Sequence, residues 1–128
     1  MRGAGGPVMH IAAFVIPVPE AQREAYLVWA RDSAAMLQGL GCLEVVEAWE
    51  DHIPTGSRTD FRKAVAAEPG ERIVLMWQIW PSRAVMDAAE AAIAQDPRGS
   101  EPSEVPFDQR RLILGTFAPI LTVGRGAA

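Results

Sequence analysis

The sequence predicts an α+β domain, a four-stranded antiparallel sheet with two helices on one face. Three observations carry this. Apolar periodicities follow the order strand, helix, strand, strand, helix, strand. The segment Arg72 to Trp80 (RIVLMWQIW) is apolar on both faces, with Ile73, Leu75, Trp77 and Ile79 on one and Val74, Met76 and Trp80 on the other. Such a strand needs cover on both sides, yet the chain offers only two good helices, which can share one face. The remaining face is too apolar to stand in water, and a second copy of the same sheet is the simplest cover. An obligate homodimer is therefore expected, with an interface of ~2,000 Å² or more.

Each element has its own signal. Val8 to Val18 reads as a strand closed by Pro17 and Pro19. Pro19 suits a first helical turn, and Glu20 and Glu24 sit near the positive end of the helix dipole. The first helix is expected from Pro19 to Leu40, with Tyr26, Trp29, Ser33, Met36, Leu37 and Leu40 as its buried stripe and Gly39 and Gly41 at its end. Leu43 to Asp51 alternates as the second strand, with Leu43, Val45, Glu47 and Trp49 on one face. A long connection from His52 to Gly70 holds Pro54, Gly56 and a short helix over Phe61 to Ala67. Arg72 to Trp80 is the third strand. Ser82 caps a second helix, Arg83 to Gln95, with Met86, Ala89 and Ile93 inward. Asp96-Pro97-Arg98-Gly99 stops it. Arg110 to Leu121 is the fourth strand, with Gly115 as a bulge or close-approach point. The domain spans 8–121, and 1–7 and 122–128 are read as flexible termini.

Composition narrows the function classes. At 128 residues and 49% apolar, the chain makes one domain with a real core. Its net charge of −4 argues against a nucleic-acid partner and gives no attraction to an anionic membrane. No segment reaches a membrane-spanning length, and the run Val8 to Val18 lacks the cleavage site of a signal peptide. The lone cysteine, Cys42, allows no intrachain disulfide, fits a reducing cytoplasmic setting and reads as a small buried hydrophobe. With two histidines, no three-histidine metal site is possible in one chain, and no glycine-rich phosphate motif is present. No cofactor is expected.

Three residues are candidates for acid–base chemistry. Glu47 lies between Val45 and Trp49 on an otherwise apolar strand face, where desolvation would raise its pKa and allow proton transfer to a bound molecule. The bland alternative is an ion pair with Arg72 or Arg111. His10 lies on the first strand with Ala12 and Phe14. It is either a cavity base or a hydrogen-bonded core histidine. His52 follows Asp51 and is either half of an acid–base pair at a pocket mouth or a solvated loop residue. Pro106-Phe107-Asp108 reads as an aromatic anchor that fixes the loop before the last strand.

The segments FVIPVPEAQREAY, LEVVEAWED, RLILGTF and VPFD, the spacing Thr59-x-Phe61-x-x-Ala64-Val65, and the pairs Pro54/Gly56 and Ser82-Arg83 resemble the YbaA-like family of uncharacterised proteins, from about Val8 to Phe117. Departures are Ala12-Ala13, Met36 and His52, where that family tends to have Asp-Gly, an aromatic and an acid. The resemblance implies a ferredoxin-like βαββαβ fold pairing as a dimeric α/β barrel. It also implies a cavity between sheet and helices lined by aromatics, for which Phe14, Trp29, Trp49, Phe61 and Trp77 are the candidates. The expected function is binding of a small apolar or aromatic molecule. The alternative is a cofactor-free oxygenase- or isomerase-like enzyme using Glu47 and a histidine.

Overall fold

The computed structural model describes residues 9–96 and 105–124. The lead at 1–7, the helix stop at Pro97-Arg98-Gly99 and residues 125–128 lie outside them. Four strands form one open antiparallel sheet: β1 (His10–Pro19), β2 (Glu44–Trp49), β3 (Glu71–Trp80) and β4 (Ile113–Phe117), in the spatial order β2-β3-β1-β4. Thus β3 inserts between β1 and β2, and β1 between β3 and β4. The central pair runs in unbroken register from His10 opposite Trp80 to Pro19 opposite Glu71. The helices are α1 (Arg23–Gly39), preceded by a 3-10 turn over Glu20–Gln22, then α2 (Phe61–Ala64) and α3 (Arg83–Gln95). Three helices, rather than the two expected in the fold, thus occur among the described residues. The third is one turn inside the long connection, where a short helix over Phe61 to Ala67 was anticipated.

One core cluster joins α1, α3 and a single face of the sheet. It contains Ala12, Ile16 and Val18 of β1, Val74, Met76 and Trp80 of β3, Tyr26, Ala30 and Leu37 of α1, and Met86 and Ala89 of α3. The alternating strand period puts Ile73, Leu75, Trp77 and Ile79 on the opposite face, as the sequence predicts. That face is not wholly bare. Ile53 and Phe61 of the long connection meet Ile73 and Leu75 around one recess, and Val65 is buried outside the helix-side cluster. Further along, Leu75, Ile113 and Phe117 remain exposed.

The long connection is pinned by polar contacts. The Asp60 carboxylate caps α2, accepting from the backbone N–H of Lys63 (2.8 Å) and of Gly56 (3.0 Å). Lys63 Nζ donates to the Gly56 carbonyl. A Cβ at Gly56 would fall 1.9 Å from the Thr59 carbonyl oxygen, so the backbone closes there only with glycine. Arg62 donates to Glu50 Oε1 (3.0 Å) and to the Glu71 carbonyl (2.8 Å), tying the connection to β3.

Several boundaries differ from expectation. The last strand runs only from Ile113 to Phe117, not Arg110 to Leu121. Arg110 and Arg111 turn around the Asp108 carboxylate, and Pro119 has no N–H to continue a ladder. Gly115 pairs regularly with Ala13, so it is no bulge; the Phe117 ring crosses it at 3.2 Å from where a Cβ would stand. Met36 of the expected α1 stripe is 38% exposed, and Ala30 takes the inward position instead. Ser82 caps α3 as expected, its Oγ accepting from the Val85 N–H (3.2 Å).

Candidate functional site

Glu47 stands opposite Met76 on the helix-facing side of β2. Its register follows from the strand period, which sends Val45, Glu47 and Trp49 inward together. Tyr26, on the first turns of α1 and 1% exposed, donates its phenol O–H to Glu47 Oε1 at 2.6 Å. Burial pushes the Glu47 carboxyl above the usual carboxylate range, and the Tyr26 hydrogen bond only partly offsets this. Burial, then the nearby carboxyl, holds the Tyr26 phenol un-ionised. The expected arginine partners are engaged elsewhere. Arg72 lies 3.6 Å from both Glu50 and Glu20, and Arg111 pairs with Glu71 (2.6 Å) and Asp108 (3.1 Å).

A cavity of about 310 Å³ opens beside Glu47 between sheet and helices. Apolar side chains form most of its wall, with Phe14, Trp29, Leu37, Met76, Phe107 and Leu112 foremost. Polar groups are few: Glu47, Gln78, Ser33 and Gln109. None of its described lining residues is basic. Phe107 packs edge-on against Trp29 (5.2 Å between ring centres) and Tyr26 (5.8 Å), which confirms its reading as the anchor of the loop before β4. A second cavity of about 300 Å³ shares Phe14, Leu37 and Gln78 with the first, so these three side chains form a common wall. Trp29, Val105, Phe107 and Gln109 also border an open cleft of about 1150 Å³, which gives the cavity a vestibule.

That cleft is framed by charge. Arg111 holds buried Glu71 through two hydrogen bonds (2.7 and 2.6 Å) and donates to the Ala66 carbonyl (3.1 Å). The guanidinium keeps the Glu71 carboxyl below its ordinary range, and Arg110 and Arg111 do the same for Asp108. This network fastens the loop before β4 to the start of β3.

Of the residues singled out from sequence, Glu47, Phe14 and Trp29 come together in the cavity. Trp49 lies beneath the Arg23 guanidinium, 5.3 Å from its ring centre. Phe61 and His52 border the recess on the other face of the sheet. Trp77 also belongs to that face, with its indole N–H toward Glu44 Oε2 (3.3 Å). His10 is buried opposite Trp80 on β1 and does not line the Glu47 cavity. Sequence reasoning passed over Gln78, whose Oε1 accepts from the Trp80 indole (2.9 Å) at the cavity wall. The signal was present: Gln78 is the one polar residue at the inward positions from Val74 to Trp80. Tyr26 was assigned only to the packed stripe, because its partner is 21 positions away.

Among the described residues, no group of three potential ligands could hold a metal ion, and no helix is long and apolar enough to cross a membrane. A family model described as a protein of unknown function, DUF1428, matches residues 9–109. The chain is 40% identical over 113 residues to the "Uncharacterized protein YbaA" of Escherichia coli (strain K12), covering 88% of this chain and 97% of that protein. The Shigella flexneri protein of the same name gives the same figures.

Proposed function

The chain belongs to the DUF1428 family of proteins of unknown function, and on that footing we propose that it binds a small, uncharged apolar or aromatic molecule in the cavity beside Glu47. The observation that carries this is a cavity of about 310 Å³ whose wall is apolar except for one raised-pKa carboxyl and a few neutral polar groups. Among the described lining residues a buried anion would have no cation to meet, so carboxylates and phosphate esters are disfavoured. A neutral guest with one carbonyl or hydroxyl could hydrogen-bond to Glu47 and leave its ring among Phe14, Trp29 and Phe107.

The strand order β2-β3-β1-β4 supports a ferredoxin-like βαββαβ reading of the domain. In that reading two copies pair through their helix-free faces as a dimeric α/β barrel. The exposed apolar residues of that face support the pairing. The buried, unpaired Cys42 suits a cytoplasmic setting.

The second reading is a cofactor-free enzyme in which Glu47 moves a proton to or from the guest. What favours it is a carboxyl whose pKa lies closer to neutrality than usual and is oriented by a phenol. Neither His10 nor His52 lines this cavity, so Glu47 with Tyr26 would carry the proton chemistry.

Titration with 1-naphthol and with 2-naphthoate, followed by tryptophan fluorescence, tests the binding. Saturable binding of the neutral probe is expected, with the anion at least ~10-fold weaker. Ser33→Phe, which fills the cavity, is expected to abolish it. Equal binding of both probes, or unaltered binding to Ser33→Phe, sinks the proposal.

A further inference from the structure

The segment after β4 is the most exposed apolar stretch of the described chain. Ile120 is 100% exposed, Leu121 80% and Val123 82%. From Ile113 to Gly124 (ILGTFAPILTVG) there is no charged side chain. Large aliphatics in sequence, wholly in water, are unusual for a chain that acts alone. The segment also does not extend its own sheet. The ladder with β1 ends where Phe117 meets Ile11, and Pro119 cannot donate a further hydrogen bond.

A receiving surface of matching chemistry exists on the same molecule. The helix-free face carries Val46, Leu75, Trp77 and Ile79, covered at one end only by the long connection. Phe117 and Ile113, both exposed, stand on that side of the sheet opposite Ile11 and Val15, so β4 brings the segment to the rim of this face. A second copy supplies the same face in equal number, and two-fold pairing makes such contacts reciprocal. A lipid surface fits less well, because the segment has no basic residue to draw it to anionic headgroups.

We propose that residues 118–124 form an arm that leaves its own sheet at Pro119 and packs on strands β2 and β3 of a second copy. This rests on the homodimer reading and adds to it a reciprocal exchange, in which each chain covers part of its partner's sheet.

The test uses the full chain with the photo-crosslinking residue benzoylphenylalanine in place of Leu121, as an equal mixture of ¹⁴N- and ¹⁵N-labelled protein. The expected result is mixed-isotope crosslinks to peptides of residues 44–49 and 71–80. Crosslinks only within one isotope, or none, overturn the arm. In parallel, truncation after Pro119 is expected to weaken the dimer at least ~100-fold in sedimentation experiments, since three buried aliphatics are lost. An unchanged dissociation constant overturns the arm and leaves the dimer standing. A wild-type chain that sediments as a monomer at micromolar concentration overturns both.

Discussion

Glu47 and Tyr26 show how far one side-chain pair can set the character of a cavity. A carboxyl in apolar surroundings prefers its neutral form, so its folded-state pKa lies above the unfolded value of about 4.5. The linkage then has a definite sign. Below the unfolded pKa both states are protonated and Glu47 costs nothing. As pH rises from there through the raised folded value, the unfolded state ionises first and stability falls. Glu47→Gln removes this titration while keeping an oxygen for the Tyr26 phenol. The variant is expected to match wild type near pH 4, and to melt no lower, and up to ~3 °C higher, at pH 7. A thermal-melt series across that range checks it. A variant that loses solubility at every pH would show that Glu47 holds the fold together.

That Glu47 is unusual was legible from its strand alone, because alternation exposes one acid among apolar neighbours. Its partner was not legible. Tyr26 sits at a position that helical spacing marks as core, and nothing local distinguishes a core tyrosine from a hydrogen-bonded one. Arg72 and Arg111 were plausible partners by chemistry, but their choice among Glu20, Glu50, Glu71 and Asp108 depends on how the loops fold back.

Among elements, α3 was readable to the residue because Ser82 and Gln95 bound a clean amphipathic run. The end of α1 was readable from its glycines, and the structure gives the reason. Gly41 adopts φ +109°, and a Cβ there would lie 2.8 Å from Val85 Cγ1 of α3. One residue therefore sets both the helix exit and the approach of the two helices. Gly41→Ala is expected to cost about 1–3 kcal/mol, measured by urea denaturation. A loss below ~0.5 kcal/mol would mean that the junction relaxes freely. The fourth strand was overextended because Leu112 on one side and Ile120 and Leu121 on the other continue its apolar character. The Asp108 turn, made locally with Arg110 and Arg111, and Pro119 cut it short, and Arg111 is held in the turn by its long-range pair with Glu71.

At the scale of the molecule, sequence motifs identified the family, and periodicity gave the order of the main elements. Periodicity could not show that part of the long connection lies over the helix-free face, since its cover comes from isolated residues such as Ile53 and Phe61 without a repeat. The proposed dimer must then use the remainder of that face, with Trp77 within it. Trp77→Glu places a charge beside Glu44 and is expected to convert the dimer to monomer, lowering the melting temperature by more than ~5 °C. Light scattering and a melt decide it. A variant that elutes and melts like wild type contradicts the pairing.

The register of β1 with both β3 and β4 has a consequence for synthesis. Among the described strands, β1 is synthesised first and β4 last, yet the two are neighbours in the finished sheet. Until β4 emerges, β1 keeps an unpaired backbone edge that any neighbouring nascent polypeptide could zip onto. Closure of this sheet therefore waits on β4, and slow synthesis of the stretch between the two strands lengthens the interval in which β1 is open to misassociation.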